Sequence, residues 1–417
     1  MFDTTLKRGD TSHISDHQII AEYLNALNAS QVLTVVASDA PNSWKATVET
    51  PCDGVADDVD ILAAIATLPA TGGILQFSPG TFFVASSIVI PDHIHIKTSP
   101  GTILKATSAM TFVLGNSTAI YATQHLVIED IEINGNDLAT YGLYLYFIAT
   151  GCEVNRVRVH DAVSHGVYAY KSMCMSLRDV YSHNNGGSGF YLEGCNASNY
   201  YNIRGTYNTL DGITILSAVS YASDCGLYGG SAESNNRHGL YVYNCANTVL
   251  ILGLHVEQED TNTNDPVLLE ESVGVMIGGR ISGFGTGANY CIHLTGTTRS
   301  AWYLAGNKVA RNTDSDGSIA TVKDDASFAS TIENQITSMA TMYRFHNEGA
   351  AVGIADGGAI THGISGTPTK IFVSGSVAGE IVTYDPATIT SAHFHVNIKK
   401  NDGSPGTNQT ISWRAEL

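Results

Sequence analysis

From about residue 73 onward, apolar and polar residues alternate in short runs, broken every few positions by Asn, Gly or Ser. A period of two belongs to strands, not to amphipathic helices. The runs are organised by an internal repeat of about 24 residues, anchored on the glycine of a pattern Gly-apolar-Tyr-apolar. Gly142, Gly166, Gly189, Gly212 and Gly239 are the anchors, spaced by 24, 23, 23 and 27 residues. No repeat holds a helical stretch long enough for a βαβ crossover. The period excludes ankyrin and tetratricopeptide arrays, and the leucine-rich consensus is absent. A right-handed parallel β-helix, one coil per repeat, fits these constraints.

The columns of this arrangement are specific. One and three residues after each anchor stand Leu143/Leu145, Val167/Ala169, Phe190/Leu192, Ile213/Ile215 and Leu240/Val242, all apolar and expected to point inward. Four residues before three successive anchors are Asn185, Asn208 and Asn235, the spacing of a buried amide ladder. Cys174, Cys195, Cys225 and Cys245 are expected to stack in a similar way. The β-body is expected over about 73–312, roughly ten coils.

Outside the repeat, residues 15–28 predict an amphipathic helix and 57–68 a second one, placed to cap the first coil. Residues 313–348 predict a polar connection. From 349 a new alternating section with an Asn401-Asp402-Gly403 turn predicts a small β-sandwich-like domain, for trimerisation or glycan binding. The fold class is therefore all-β: a lead-in over 1–50, a β-helix over 51–312, the connection, and a terminal β-domain over 349–417.

Composition narrows the function. The chain has 417 residues, of which only 14% are charged, with a net charge of −18. That balance, without a Lys/Arg cluster, argues against nucleic acid as a partner. No apolar run approaches the roughly 18 residues of a membrane span, and the first residues lack the apolar core of a Sec signal, so neither membrane insertion nor Sec export is expected. The seven cysteines predict reduced, buried thiols. No spacing suggests zinc or calcium, and no cofactor or metal is expected.

Four groups carry candidate chemistry. Outward positions after the anchors hold seven tyrosines in ten, among them Tyr144, Tyr168, Tyr170, Tyr191, Tyr241 and Tyr243. Such rings can bind sugars, or stack and form a subunit interface. Eight residues before consecutive anchors stand Arg158, Tyr181 and Arg204, and six before stand His160 and His183. An arginine that neutralises a uronate carboxylate acidifies the C5 proton, so Arg158 and Arg204 with His183 or Tyr181 as base and Tyr181 as acid would suit β-elimination, with His160 binding substrate. The alternative is a solvated face of mutually bonded side chains. Carboxylates for hydrolysis are scattered: Glu132, Arg156 and Asp179 suggest an ion ladder, Glu193 and Asp211 fall out of column, and Asp161 and Glu233 stay open. The His93/His95 and His393/His395 pairs would each share a strand face. At a trimer axis the latter would supply six nitrogens.

The segment Cys52-Asp-Gly-Val-Ala-Asp-Asp through Ile65, followed by Gly72-Gly-Ile-Leu-Gln-Phe-Ser-Pro-Gly-Thr81, resembles the N-terminal signature of the pectate-lyase-like β-helix superfamily. His362-Gly-Ile-Ser-Gly-Thr-Pro-Thr-Lys370 and Trp413-Arg-Ala-Glu-Leu look like terminal segments of phage tail proteins. The resemblance implies a tailspike-like homotrimer of the virion tail or an extracellular protein that binds polysaccharide. It further implies a depolymerase, a lyase before a hydrolase, with a non-catalytic receptor-binding fibre as the alternative.

Overall fold

The computed structural model describes residues 32–116, 123–217, 224–258, 263–283, 290–297, 301–311, 322–324, 331–336, 346–362 and 367–416. The helix expected at 15–28 and part of the 313–348 connection lie outside them. The body is a three-faced parallel solenoid. One coil runs Met175–Arg178, Tyr181–His183 and Phe190–Glu193, and the next runs Ser198–Tyr201, Arg204–Thr206 and Ile213–Leu216. These triplets define the first, second and third faces. The third is a ten-stranded sheet from Ile88–Ile90 to Val322–Asp324.

The inward columns are as the repeat predicts. Leu143, Leu145, Val167, Ala169, Phe190, Leu192, Ile213, Ile215, Leu240 and Val242 are all buried in one continuous apolar core. Each such aliphatic side chain contributes roughly 1.5–3 kcal/mol on burial. The long repeat between Gly212 and Gly239 keeps register, because Arg204 still pairs with Ser231 and Tyr201 with Tyr228. Its extra residues fall between Leu216 and Cys225, after the third-face strand.

The ladder starts earlier and runs later than the repeat suggests. Val32–Val35 already pairs in parallel with residues 74–77. Past 312, Val322–Asp324 pairs with 292–294 and Thr331–Ile336 pairs with the 303–309 strand. The capping helix is Asp58–Thr67. Asp58 and Asp60 in its first turn suit the helix dipole, and Ile61 and Ile65 face the core. It stops because Leu68, before Pro69, is forced extended. The signature aspartates fasten this cap. Asp57 accepts from the amides of Gly54 (2.9 Å) and Phe83 (2.7 Å), and Asp58 from Ala85 (2.7 Å).

Between the first and second faces each coil turns on one left-handed residue: Asp130, Arg156, Asp179, Asn202, Gly229, Gly253 and Gly278, with φ between 51° and 70°. Asp, Asn and Gly tolerate that region; Arg156 is the exception. It is held by Asp130 of the neighbouring coil through bonds of 2.6 and 2.8 Å. The expected Glu132–Arg156–Asp179 column is thus displaced at its first member. Glu132 pairs with Arg158, and Asp130 is the partner of Arg156. The spacing from face to anchor is two residues longer in that coil.

The asparagine ladder forms, and it explains the anchor glycines Gly166, Gly189 and Gly212. Asn185 Nδ2 donates to Asn208 Oδ1 (2.8 Å), and Asn208 Nδ2 to Asn235 Oδ1 (2.9 Å). A Cβ on Gly189 would lie 2.7 Å from Asn208 Nδ2 and 2.8 Å from the carbonyl of Gly212. The four-cysteine stack does not form. Cys195 and Cys245 occupy one buried turn column, donating to the carbonyls of Ala169 and Ile215. Cys225 lies on the first face in line with Ser198, and Cys174 is exposed in a left-handed turn. Six of the seven thiols are buried and all are free.

The terminal region forms two three-stranded antiparallel sheets. One joins His346–Ile354, Gln409–Glu416 and Lys370–Gly375; the other joins Ala359–Thr361, His393–Lys400 and Glu380–Asp385. Phe394, Ile398, Ile371 and Ile411 pack in their own core. The Asn401–Gly403 turn reverses the chain, with Gly403 at φ 82° and a bridge from Lys399 to Pro405. It does not join two strands of one sheet as a hairpin, because Gln409–Glu416 belongs to the other sheet.

Candidate functional site

The second face assembles the expected polar patch. Glu132, Arg158, Tyr181 and Arg204 are successive register partners in one column, and Asn134, His160, His183 and Thr206 in the next. Alternation along each short strand turns both columns outward while Val159 and Ser182 between them are buried. A groove of about 490 Å³ opens here, lined by Asp179, Tyr181, Asn202, Arg204, Thr206, Tyr207, Ser231 and Glu233.

Along the two columns the side chains differ in how far they are committed. The Tyr181 hydroxyl is 2.9 Å from Thr206 Oγ1, and the Arg158 guanidinium lies 5.8 Å from the Tyr181 ring centre. Arg158 also meets Glu132 at 3.7 Å. Arg204 is exposed and has no ion-pair partner among the described residues. His160 sits between Glu132 (3.2 Å) and Asp161 (2.8 Å), and stacks on His183 at 5.0 Å. Burial lowers the proton affinity of His183, and the nearby His160 and Arg158 lower it further. Its Nε2 is buried without a hydrogen-bond partner. That nitrogen is closed to solvent in this arrangement.

Thr206 and Glu233 line the groove although only Glu233 stood among the sequence candidates, as an unpaired carboxylate. Both sit six residues before an anchor, in the column of His160 and His183, so extending that column would have found their place. His255 was not anticipated. It lies 3.4 Å from both Glu233 and Glu257.

The third face carries the tyrosines, with a different outcome from sugar stacking on flat faces. Phe112 and Tyr144 (4.9 Å), Tyr144 and Tyr168 (5.5 Å), and Tyr168 and Tyr191 (5.7 Å) stack with nearly parallel planes. Tyr146 and Tyr170 do the same at 5.1 Å. Rings this close and this parallel are offset face to face along the helix axis. Tyr144 and Tyr168 are covered on both ring faces, and Tyr144 is buried. Tyr168 donates to Glu193 (3.4 Å) and Tyr241 to Glu270 (2.7 Å). Burial pushes the Tyr144 phenol up to about 12 and raises Tyr168, Tyr191 and Tyr241 as well, keeping them protonated donors. Tyr243 is the most open of the group, at 36% exposure.

The ring column breaks at Thr214, which is fully buried and donates to Asp211. Asp211, also fully buried, is paired with Arg237, whose guanidinium lies 5.3 Å from the Tyr241 ring centre. Asp211 is thus a structural anchor, not an available acid. His165, absent from the candidates, stacks on Tyr191 at 4.2 Å and accepts the Ser188 amide at Nδ1 (2.9 Å). Burial lowers its pKa to about 4.

The histidine pairs separate. His93 occupies a left-handed turn against His125, while His95 is on a strand and bonds Glu129 at 2.9 Å, so the two do not share a strand face. His393 and His395 do share one, 5.2 Å apart, but His395 Nδ1 already donates to the carbonyl of Gly357 at 2.8 Å. Among the described residues, Cys52, Asp57 and Asp60 come close enough to share an ion. Both Asp57 oxygens are taken by backbone amides, and burial pushes the Cys52 thiol up to about 12, so the cluster reads as part of the cap.

No family model matches the chain, and no curated protein matches it. Solved structures do. ORF18 of Geobacillus virus E2 aligns with a TM-score of 0.56 at 16% identity, over 99% of this chain and 80% of that one. The A-module of mannuronan C-5 epimerase AlgE6 from Azotobacter vinelandii aligns at 0.52 and 15%, over 70% and 97%. The AlgE4 A-module from the same organism aligns at 0.50 and 14%, over 70% and 96%. At these identities the likeness is one of fold. The chain is a right-handed parallel β-helix, the fold that the pectate-lyase-like signature implied.

Proposed function

We propose that this is a polysaccharide-engaging β-helix protein that cleaves an acidic glycan by β-elimination in the second-face groove. The observation that carries the reading is Arg204: an exposed guanidinium without an ion pair, in register with Tyr181 at the wall of a groove. Arg204 binds the uronate carboxylate and makes the C5 proton more acidic. Tyr181, as phenolate, takes that proton. The electron pair forms the C4–C5 double bond, and the C4–O bond breaks as the proton is delivered to the leaving oxygen. Thr206 orients the phenol oxygen, while Arg158 lies over the Tyr181 ring. His183 supports the Tyr181 ring from behind and acts as a positioning residue.

The test is incubation with alginate, polygalacturonate and bacterial surface glycans, following ultraviolet absorbance of unsaturated uronate together with reducing ends. A rise in both is expected. Reducing ends without absorbance would mean hydrolysis and move attention to Glu233; neither, with a glycan still bound, would leave an adhesin.

A second reading concerns placement. We propose a virion-tail protein assembled as a homotrimer through the terminal β-domain; the alignment of 99% of this chain with an open reading frame of a virus favours the virion, and the trimer is the proposal's own. Deleting 349–417 should then dissociate the trimer, and a stable, active monomer would refute it.

A further inference from the structure

The second-face column that contains the groove continues well past it. Register runs from Arg158 through Tyr181, Arg204, Ser231 and His255 to Arg280 and Lys308. Six register steps at ~4.8 Å give a line of roughly 29 Å along the helix axis. Arg158, Arg204, Arg280 and Lys308 are all exposed on it. Arg204, Arg280 and Lys308 have no carboxylate within ion-pair distance among the described residues. The whole chain holds only 21 lysines and arginines against 39 acids. In such an acidic molecule, a straight row of unpaired cations is the place where a polyanion meets least repulsion.

We propose that Arg280 and Lys308 form a distal anion-binding subsite, and that the column as a whole holds one extended anionic glycan parallel to the helix axis. The inference rests on the second face being the glycan face, but not on cleavage there. Charge spacing favours glycan over nucleic acid. Arg158 and Arg204 are two steps apart and Arg204 and Arg280 three, or ~10–14 Å, and Lys308 follows Arg280 after one step of ~4.8 Å. Duplex DNA carries a charge about every 1.7 Å and needs denser neutralisation. Glu233 and Glu257 in the adjoining column would repel so dense an anion, whereas a chain with sparse charges can keep its neutral hydroxyls beside them.

The experiment measures binding of the full chain to polygalacturonate, a sulfated dextran, unmodified dextran and duplex DNA at several salt concentrations, by affinity electrophoresis. Arg280→Glu/Lys308→Glu should weaken polygalacturonate or sulfated-dextran binding by about tenfold at low salt and flatten its salt dependence. Arg280→Gln/Lys308→Gln should weaken it by about threefold, with unchanged circular dichroism and melting. The readout is binding alone, so the result stands even if no protein in the series forms unsaturated product. Unchanged polymer affinity in both double variants would overturn the subsite. Equal binding of unmodified dextran, or of DNA, would overturn its assignment to an anionic glycan.

Discussion

The side-chain amide of Asn185 donates to the side-chain oxygen of Asn208 across 2.8 Å, inside a turn with no access to water. The same Asn208 oxygen also takes the backbone amide of Asn185 at 3.2 Å. Asn208→Ala therefore takes away the acceptor shared by two buried N–H groups of Asn185 and leaves Asn235 Oδ1 with the backbone amide of residue 208 alone. The expected loss is about 3 kcal/mol of stability, read from denaturant unfolding. A change within a few tenths would mean that the ladder is not stabilising.

Gly189 faces that ladder. Its missing Cβ would press on Asn208 Nδ2 and on the carbonyl of Gly212. Gly189→Ala should cost on the order of 2–3 kcal/mol, because the nearest atoms include backbone that cannot yield. Ala at Gly229, where no atom lies within 4 Å, is strained only by its positive φ and should cost nearer 1 kcal/mol.

Arg204, Tyr181 and His183 should separate kinetically if the groove is a lyase site. Tyr181→Phe removes the proton-transfer group and should lower kcat by at least about a hundredfold with little change in KM. Arg204→Ala should lower kcat/KM by a comparable factor, with part of the loss in KM. His183→Ala, which acts through the Tyr181 ring, should cost much less and be partly recovered by His183→Gln. Equal losses for all three would point to a general structural collapse.

His165 gives a pH dependence with a definite sign. Its folded pKa, about 4, lies below the 6.5 of an exposed imidazole. As pH falls below 6.5 the unfolded chain takes up a proton that the folded chain refuses, so stability present above pH 6.5 is lost on the way to pH 4. The full effect is on the order of 3 kcal/mol. Comparing unfolding of wild type and His165→Phe from pH 7.5 to 4 isolates it. The wild type should lose more over that range, and parallel curves would rule out the assignment.

Much of the solenoid was legible because its signals are local and repeated. Inward Leu192 or Val242, outward Tyr181 and the Asn185–Asn235 spacing all follow from period two and the anchor interval. What escaped depends on which coil supplies a neighbour. Asp130, not Glu132, meets Arg156, because one coil is longer before its anchor. Cys174 and Cys225 share composition with Cys195, but Cys174 falls two positions further along the equivalent turn and Cys225 on the first-face strand. The stacking of Tyr144 on Tyr168 was one of the outcomes the outward positions allowed, but alternation tells that a ring points outward and not which way its plane turns. His165 and Arg237 reach the third face from turns, where periodicity carries no information.

The asparagine ladder has a consequence for how such a molecule can change length. Asn185 and Asn208 occupy equivalent sites 23 residues apart, and each makes toward the next coil the contact that its predecessor makes toward it. Removing one whole interval would therefore rejoin like with like, whereas removing a fraction of one would throw every column below it out of phase. Length is quantised in this architecture. A lineage of such chains can match binding partners of different reach by gaining or losing entire coils, while the cap at one end and the sandwich at the other are kept.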